Sequence, residues 1–446
     1  MIAITEGMTP SEFISALNYN YGTVDGISLL AIASTLSDIN DNTDIVNTEY
    51  PTASLGQVSA GMGGASYISS LNQNFANTKT ATWWDVLWLY RTPLRFNAST
   101  ITVNTDNCAI RVHIDKTTFD YSKFKTAGAD IRFTDKDGTE LDYEIEYWTD
   151  TEGSEDAVCW VLVPRITAVS TYIDMIYLYY GNAAAVDNQD KNALWLAANV
   201  IAVWHFAEGE GATVFDSSVT GADGTILNPS GDWIKASGVS AIELNHDHIG
   251  EDHPGNEIIT CGNPTVITEM TGDISIAVWY KLTSYTNGDM DFLNTNYNRA
   301  EFFQNFSVTV AAGSDQRVYL ALGDGVPTGP GRVDGFILTE WGVTNMPLNI
   351  WHSFIGKLDG NYLKCAMDGD NSLQNPPEQL FDANSGTRQT GERLAIGGWG
   401  DGDTRALCGF LDEIKIFNRS LSRDEERIDT LNRLNTFLNY MEREEA

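Results

Sequence analysis

Positive charge is scarce in this 446-residue sequence: 27 lysines and arginines face 61 aspartates and glutamates, for a formal net charge of -34. A chain so acidic repels the phosphates of nucleic acids and anionic lipid surfaces, so it is expected to bind neither. Cysteine is scarce too. The five, Cys108, Cys159, Cys261, Cys365 and Cys408, are scattered, odd in number and form no Cys-x-x-Cys pair, which argues against a zinc site or a disulfide framework. No run reaches the roughly 18 to 20 apolar residues that a membrane span needs, so no membrane insertion is expected. The opening Met-Ile-Ala-Ile-Thr-Glu-Gly lacks the basic patch and apolar core of a secretory signal. Export by another route, or assembly in the cytoplasm and release with a particle, is the corresponding expectation. A Gly-x-Ser-x-Gly elbow and a phosphate loop are also missing.

What is present points to strands. The chain is 42% hydrophobic and 11% aromatic and has 39 glycines, a composition suited to a strand-rich protein with many tight turns. Its length fits two or three domains, each able to bury its own core.

Residues 1–80 differ from the rest. They hold an internal repeat in which the segment from Ser11 to Tyr21 aligns without gaps on that from Ala65 to Phe75. Each copy reads as a short helix, the first with Thr9 as cap, Pro10 in the first turn and Glu12 closing a capping box. Phe13, Ile14, Leu17 and Tyr21 share one face, as do Tyr67, Ile68, Leu71 and Phe75. Helices this short need a partner surface, either each other, the next domain, or a component into which they dock as an anchor. The Phe/Tyr-Ile-x-x-Leu-Asn-x-Asn-Phe/Tyr pattern is similar to repeated segments at the N-termini of bacteriophage structural proteins, which implies anchoring to capsid or tail proteins.

Residues 81–190 show the alternation of half-buried strands at Ala109–Asp115, Tyr143–Trp148 and Cys159–Pro164, with turns such as Asp137-Gly138 between them. This is the pattern of an all-β sandwich. Within it, Glu144 and Glu146 alternate with Tyr143, Ile145 and Tyr147, and with Asp142 they read as a solvated face. The blocks Trp88–Leu94, Gly128–Gly138, Leu141–Trp148, Cys159–Pro164 and Ile176–Asn182 resemble, in number and order, a domain of unknown function that precedes laminin-G-like modules in bacterial surface and phage proteins.

A third unit spans residues 200–430. Val203-Trp-His-Phe opens it with Trp204 and Phe206 on one face, followed by a glycine-rich turn and an Asp-Ser-Ser corner, and Gly409–Arg419 closes it. With Gly272–Lys281, Trp351–Lys357, Tyr362–Gly369 and Arg393–Gly398 between them, these segments resemble a laminin-G-like (concanavalin A-like) jelly roll. The resemblance implies a fold that mostly binds sugars or proteins, and a structural Ca2+ near the junction of first and last strands. Asp216 and Asp412 take the matching positions, with Glu208 nearby. Asn245–His253 departs from the family and holds His246, His248 and His253 beside carboxylates, a set suited to a transition metal or to an exposed polar insertion. Sugar contacts would combine aromatic platforms with amides and carboxylates, for which Trp341, Trp399, Asn296 and Tyr297 are candidates. The Glu-x-Asp-x-(x)-Glu strand of related sandwich glucanases is absent from Leu411-Asp-Glu-Ile-Lys, so no catalytic residue is assigned.

The expected fold is therefore mainly β: two tandem sandwiches, the second a jelly roll, with a small helical N-terminal anchor and a C-terminal helix. That helix is placed at residues 431–446, where Leu431, Leu434, Leu438 and Met441 recur at helical spacing, packed on its own sandwich or forming a subunit contact in a homo-oligomer, a trimer being favoured. A bacteriophage virion protein (head fibre, decoration or tail-associated component) that binds a host-surface glycan fits these features. A bacterial surface or secreted carbohydrate-binding adhesin and a polysaccharide-degrading enzyme are the alternatives.

Overall fold

The computed structural model describes residues 83–168, 175–229, 232–244, 257–270, 272–285, 289–295, 306–311, 318–323, 336–338, 347–360, 362–369, 379–380, 393–398 and 405–446. The anchor residues Phe13, Ile14, Leu17, Tyr21, Tyr67, Ile68, Leu71 and Phe75 lie outside these. So do the sugar candidates Asn296, Tyr297, Trp341 and Trp399 and the histidines His246, His248 and His253.

Two antiparallel sheets form the first sandwich. In one, Thr105–Asp115, Asp156–Ile166 and Tyr143–Thr149 lie side by side, and in the other Tyr90–Phe96, Met175–Tyr180, Arg132–Asp135 and Glu140–Leu141 follow in order. The alternation in Thr105–Asp115 sends Ile110, Val112 and Ile114 into a core shared with Leu94, Phe133 and Leu178. Tyr143–Thr149 does not keep strict alternation, because its register on Asp156–Ile166 shifts between Ile145 and Tyr147.

The second sandwich is larger. Val200–Trp204 pairs with the upper half of Gly409–Phe417, and Ile274–Leu282 runs along the other side of that closing strand, so the opening and closing segments are neighbours as the sequence suggests. His352–Asp359 and Tyr362–Met367 extend this sheet as a hairpin, and Trp233–Ala236 with Val239–Leu244 forms a second hairpin at its other end. The opposed sheet is built on Met290–Asn294, Phe306–Val310, Ile258–Thr260 and Gly224–Leu227 among others. Trp204 and Phe206 are both fully buried between the sheets, and the indole of Trp204 donates to the Ala222 carbonyl at 3.0 Å.

The two sandwiches share a third core. The helix Lys191–Ala197, capped by Asp190 on the Ala193 amide, places Leu194 and Trp195 between Trp160 and Leu162 of the first sandwich and Val203, Ala277 and Ile355 of the second. This explains why Ala277 and Ile355, on the outer face of a jelly-roll sheet, are buried.

The C-terminus corrects the expected helix bounds. The helix occupies Arg423–Arg433, opened by a Ser422/Glu425 capping box, and stops at Asn435, whose φ is 52°. Leu438–Tyr440 and Glu444–Glu445 are strands that pair with Tyr90–Phe96, and Phe437 and Leu438 enter the core of the first sandwich. The edge strand Tyr90–Phe96 supplies unpaired backbone groups and an apolar flank, which outweigh the helical spacing of the leucines. Leu434 and Met441, expected on a packed helix face, are exposed.

Candidate functional site at the junction of the two sandwiches

His205 lies at the centre of the interface. It follows Trp204 on the opening strand, so when Trp204 and Phe206 turn into the jelly-roll core it points outward, to the first sandwich. Its ring lies between those of Trp160 and Trp195, with centroids 5.8 and 5.5 Å away. Three carboxylates surround it. Glu413 Oε2 is 2.9 Å from Nδ1, Glu146 Oε2 3.6 Å from Nδ1, and Glu144 Oε2 3.4 Å from Nε2.

Each carboxylate is held from behind. Glu144 accepts the Trp195 indole N–H at 2.6 Å and the Ser217 hydroxyl at 2.6 Å. Glu146 accepts the Trp160 indole N–H at 2.7 Å and the Ser240 hydroxyl. Glu413 pairs with Lys415 at 2.7 Å and with Arg433, which also pairs with Asp412. Lys415 reaches Asp429 on the C-terminal helix and sits 4.6 Å above the Trp160 ring.

Burial and charge oppose each other here. Burial alone would strip the proton from His205, but the charges of Glu144 and Glu146 and the hydrogen bonds to Glu144 and Glu413 raise its pKa to about 10, so it is an imidazolium at neutral pH. Burial would likewise raise Glu144 and Glu413. The His205 charge with the Ser217 and Trp195 hydrogen bonds holds Glu144 below the usual carboxylate range, and Arg433, Lys415 and His205 hold Glu413 well below it. Asp412 goes the other way, pushed up by its burial against the pull of Arg433.

A second polar contact lies beside the first. The turn between Trp233–Ala236 and Val239–Leu244 inserts Gly238 into the first sandwich, where its N–H donates to Asp156 at 3.0 Å and its carbonyl accepts from Arg111. Asp156 is also bonded to His113 at 2.7 Å and Tyr147 at 2.6 Å. Gly238 has φ of 73°, and a Cβ there would come within 2.9 Å of the His113 ring, so the position calls for glycine.

Beside the ion cluster opens a cavity of about 690 Å³, lined among others by Glu144, Glu146, His205, Glu208, Glu210 and Phe215. One oxygen of Glu208 accepts the Phe215 amide at 2.8 Å, while the other is shielded and without a hydrogen-bond partner. Burial raises this carboxyl above its ordinary value.

Comparison with known families accounts for both halves. Residues 127–219 match a domain of unknown function, DUF2341, and residues 255–425 match the concanavalin A-like lectin/glucanases superfamily. The chain joins a DUF2341 domain to a concanavalin A-like jelly roll. The DUF2341 match runs on through the linking helix and the opening strand, so Glu144, Glu146, Trp160, Trp195, His205 and Ser217 all fall inside it. No curated protein matches the sequence. Similar solved structures include the receptor-binding domain of botulinum neurotoxin C/D mosaic serotype, at 12% identity over 52% of this chain and 51% of that one, with a TM-score of 0.36. Two others are the botulinum neurotoxin serotype G binding domain, at 17% identity over 52% and 50% with a TM-score of 0.37, and the binding domain of botulinum neurotoxin DC in complex with SialylT, at 9% identity over 53% and 52% with a TM-score of 0.37. The chain spans about half the length of these structures.

The residues considered for calcium are not brought together. Asp216 spends both oxygens within the jelly roll, accepting the amides of Val203, Ser218 and Ala222 and the Ser218 hydroxyl. Asp412 is paired with Arg433, and Glu208 lines the cavity. As a set they do not fit a calcium ion, which needs several free oxygens converging on one point. Among the described residues the group of metal-ligand spacing is Glu146, His205 and Glu413, with ligand atoms within 4.8 Å of one another. Within that group Glu413 is already paired with Lys415 and Arg433. The cluster is best described as an ion network between domains.

Glu144 and Glu146 are the main correction to the sequence reading. They do share a face, but it is covered by the jelly roll, and the Glu144 residue is only 6% exposed. Alternation marks a polar face without telling water from a second domain. The available signal was complementary: His205, Glu413 and Lys415 are polar residues that alternate with the jelly-roll core residues Trp204, Phe206, Ile414 and Ile416.

Proposed function

We propose that this protein is a non-catalytic, glycan-binding structural component of a bacteriophage particle. The jelly roll holds a sugar of the host surface, the DUF2341 domain is the platform beneath it, and the N-terminal repeats attach the pair to capsid or tail proteins, as a homotrimer in the virion. The observation that supports this reading is the construction of the junction. The jelly roll is joined to its platform by an apolar core, a buried ion network and C-terminal strands that return to the first sandwich. Such a joint suits a module that presents a binding face at a fixed angle, because relative motion would break buried charge pairs.

The test is retention of the full-length chain on a glycan array, paired with particle assembly in a strain whose gene lacks residues 1–82. The proposal expects glycan retention by the intact protein, and particles from which the shortened protein is missing. An array with no retention would remove the glycan-binding part. Normal incorporation of the shortened protein would remove the anchoring part.

A further inference from the structure

The loop from Glu208 to Thr213 stands between two cavities. The junction cavity, about 690 Å³, has Glu208, Glu210 and Phe215 on its jelly-roll side. A second cavity of about 590 Å³ lies over the jelly roll and is lined by Glu210, Asp232, Trp233 and Glu257 with parts of the same loop. Both volumes fall in the range of roughly 300–1,000 Å³ typical of small-ligand sites. Gly211, common to both, has φ of 91°, and a Cβ placed on it would meet no atom within 4 Å. Its missing side chain thus leaves open space above a thin ridge.

Each cavity offers one aromatic ring beside carboxylates. Phe215 is 54% exposed, and its amide is bonded to Glu208, which keeps ring and carboxylate together. Trp233 is partly buried against the jelly-roll core and fixed by the pairing of its strand with Val239–Leu244. A pyranose presents an apolar C–H face to such a ring and hydroxyl donors at its rim, where carboxylate oxygens accept them. Glu208 Oε2 is itself shielded, so the acceptors open to a sugar are the exposed carboxylates Glu210 and Asp232.

The charges set the class of sugar. Among the described residues, the charged side chains lining the two cavities are carboxylates apart from His205, whose imidazolium faces Glu144, Glu146 and Glu413. Lys235 is exposed and brings its ammonium to the loop, beside Gly209 and 5.8 Å over the Tyr147 ring. A sugar carboxylate placed here would meet mostly like charge, with Lys235 the described cation at the loop against the carboxylates of both cavities, whereas hydroxyl and ammonium groups would meet acceptors.

We infer that an oligosaccharide of neutral or amino sugars lies across the Glu208–Thr213 loop, one ring on Phe215 and another on Trp233, with Glu210 and Asp232 receiving its hydrogens. The inference rests on the glycan-binding reading above, and adds the location and chemical class. Titration calorimetry of the full chain in about 0.15 M salt, with the N-acetylglucosamine trimer, the glucosamine trimer, cellotriose and 3′-sialyllactose, tests it on wild type, Phe215→Ala and Trp233→Ala. At least one of the first three sugars should bind and sialyllactose should not, and each substitution should weaken binding by roughly tenfold or more. Phe215 is at the surface, so Phe215→Ala keeps the test valid if Trp233→Ala fails to fold. Binding that neither substitution changes overturns the location and leaves the glycan-binding reading intact. Sialyllactose binding as tightly as the uncharged sugars overturns the class. Binding of none of the four, while the glycan array retains the protein, overturns the inference alone; an empty array overturns the reading beneath it.

Discussion

Replacing His205 with phenylalanine isolates the charge at the centre of the junction. The substitution keeps a ring between Trp160 and Trp195 but removes the cation faced by Glu144, Glu146 and Glu413. Removing one partner of a buried ion pair costs about 3–5 kcal/mol, and because the ring volume is nearly kept the loss here is electrostatic. The sign of the pH effect follows from the raised pKa. The folded chain holds the His205 proton to about pH 10, against 6.5 as the ordinary value. The histidine's contribution is therefore complete below pH 6.5 and is lost as pH rises toward 10. Between about pH 6 and about pH 9 this linkage removes on the order of 3 kcal/mol from the wild type. Glu144 and Glu413, held low, act in the opposite sense, and their contribution disappears as pH falls below the ordinary carboxylate range. Urea unfolding followed by tryptophan fluorescence at the two pH values measures both effects, since Trp160 and Trp195 flank the site. His205→Phe should be less stable at pH 6 and lose much less on going to pH 9. A variant within about 1 kcal/mol of wild type, or with the same fall between the two pH values, would refute the reasoning.

Three further outcomes follow from the packing. Ending the chain at Arg433 removes Phe437 and Leu438 from the core of the DUF2341 domain and uncovers the Tyr90–Phe96 edge, so hydrogen exchange at Tyr90–Phe96 should accelerate and the domain should lose roughly 3–6 kcal/mol. Gly238→Ala should cost about 1–3 kcal/mol in chemical denaturation, because φ of 73° is unfavourable for alanine and its Cβ meets the His113 ring. Gly153→Ala, with φ of 84° but no atom within 4 Å, should cost less. Cys159 and Cys261 are buried and their thiols are raised by that burial, so neither should react with an aromatic disulfide reagent until the protein unfolds.

Strand alternation made both sandwiches legible, because each strand has one face in its own core. The pairing of Val200–Trp204 with Gly409–Phe417 was readable as well, since Trp204 and Phe206 on one side and Ile414 and Ile416 on the other share the jelly-roll core. The junction was not. Glu144 and Glu146 on one sandwich and Glu413 and Lys415 on the other each look like water-facing positions, and only their mutual neutralisation removes them from solvent. The last turns of the chain misled for a related reason: Leu438 has helical spacing from Leu431 and Leu434, but the unpaired edge at Tyr90–Phe96 offers it a strand partner far away in sequence.

A structure of the full-length chain with the best-binding neutral or amino-sugar trimer tests the central claim most directly. The sugar should lie across the Glu208–Thr213 loop, with one ring against Phe215 and another against Trp233. A trimer seated elsewhere on the jelly roll, with that loop bare, would contradict it.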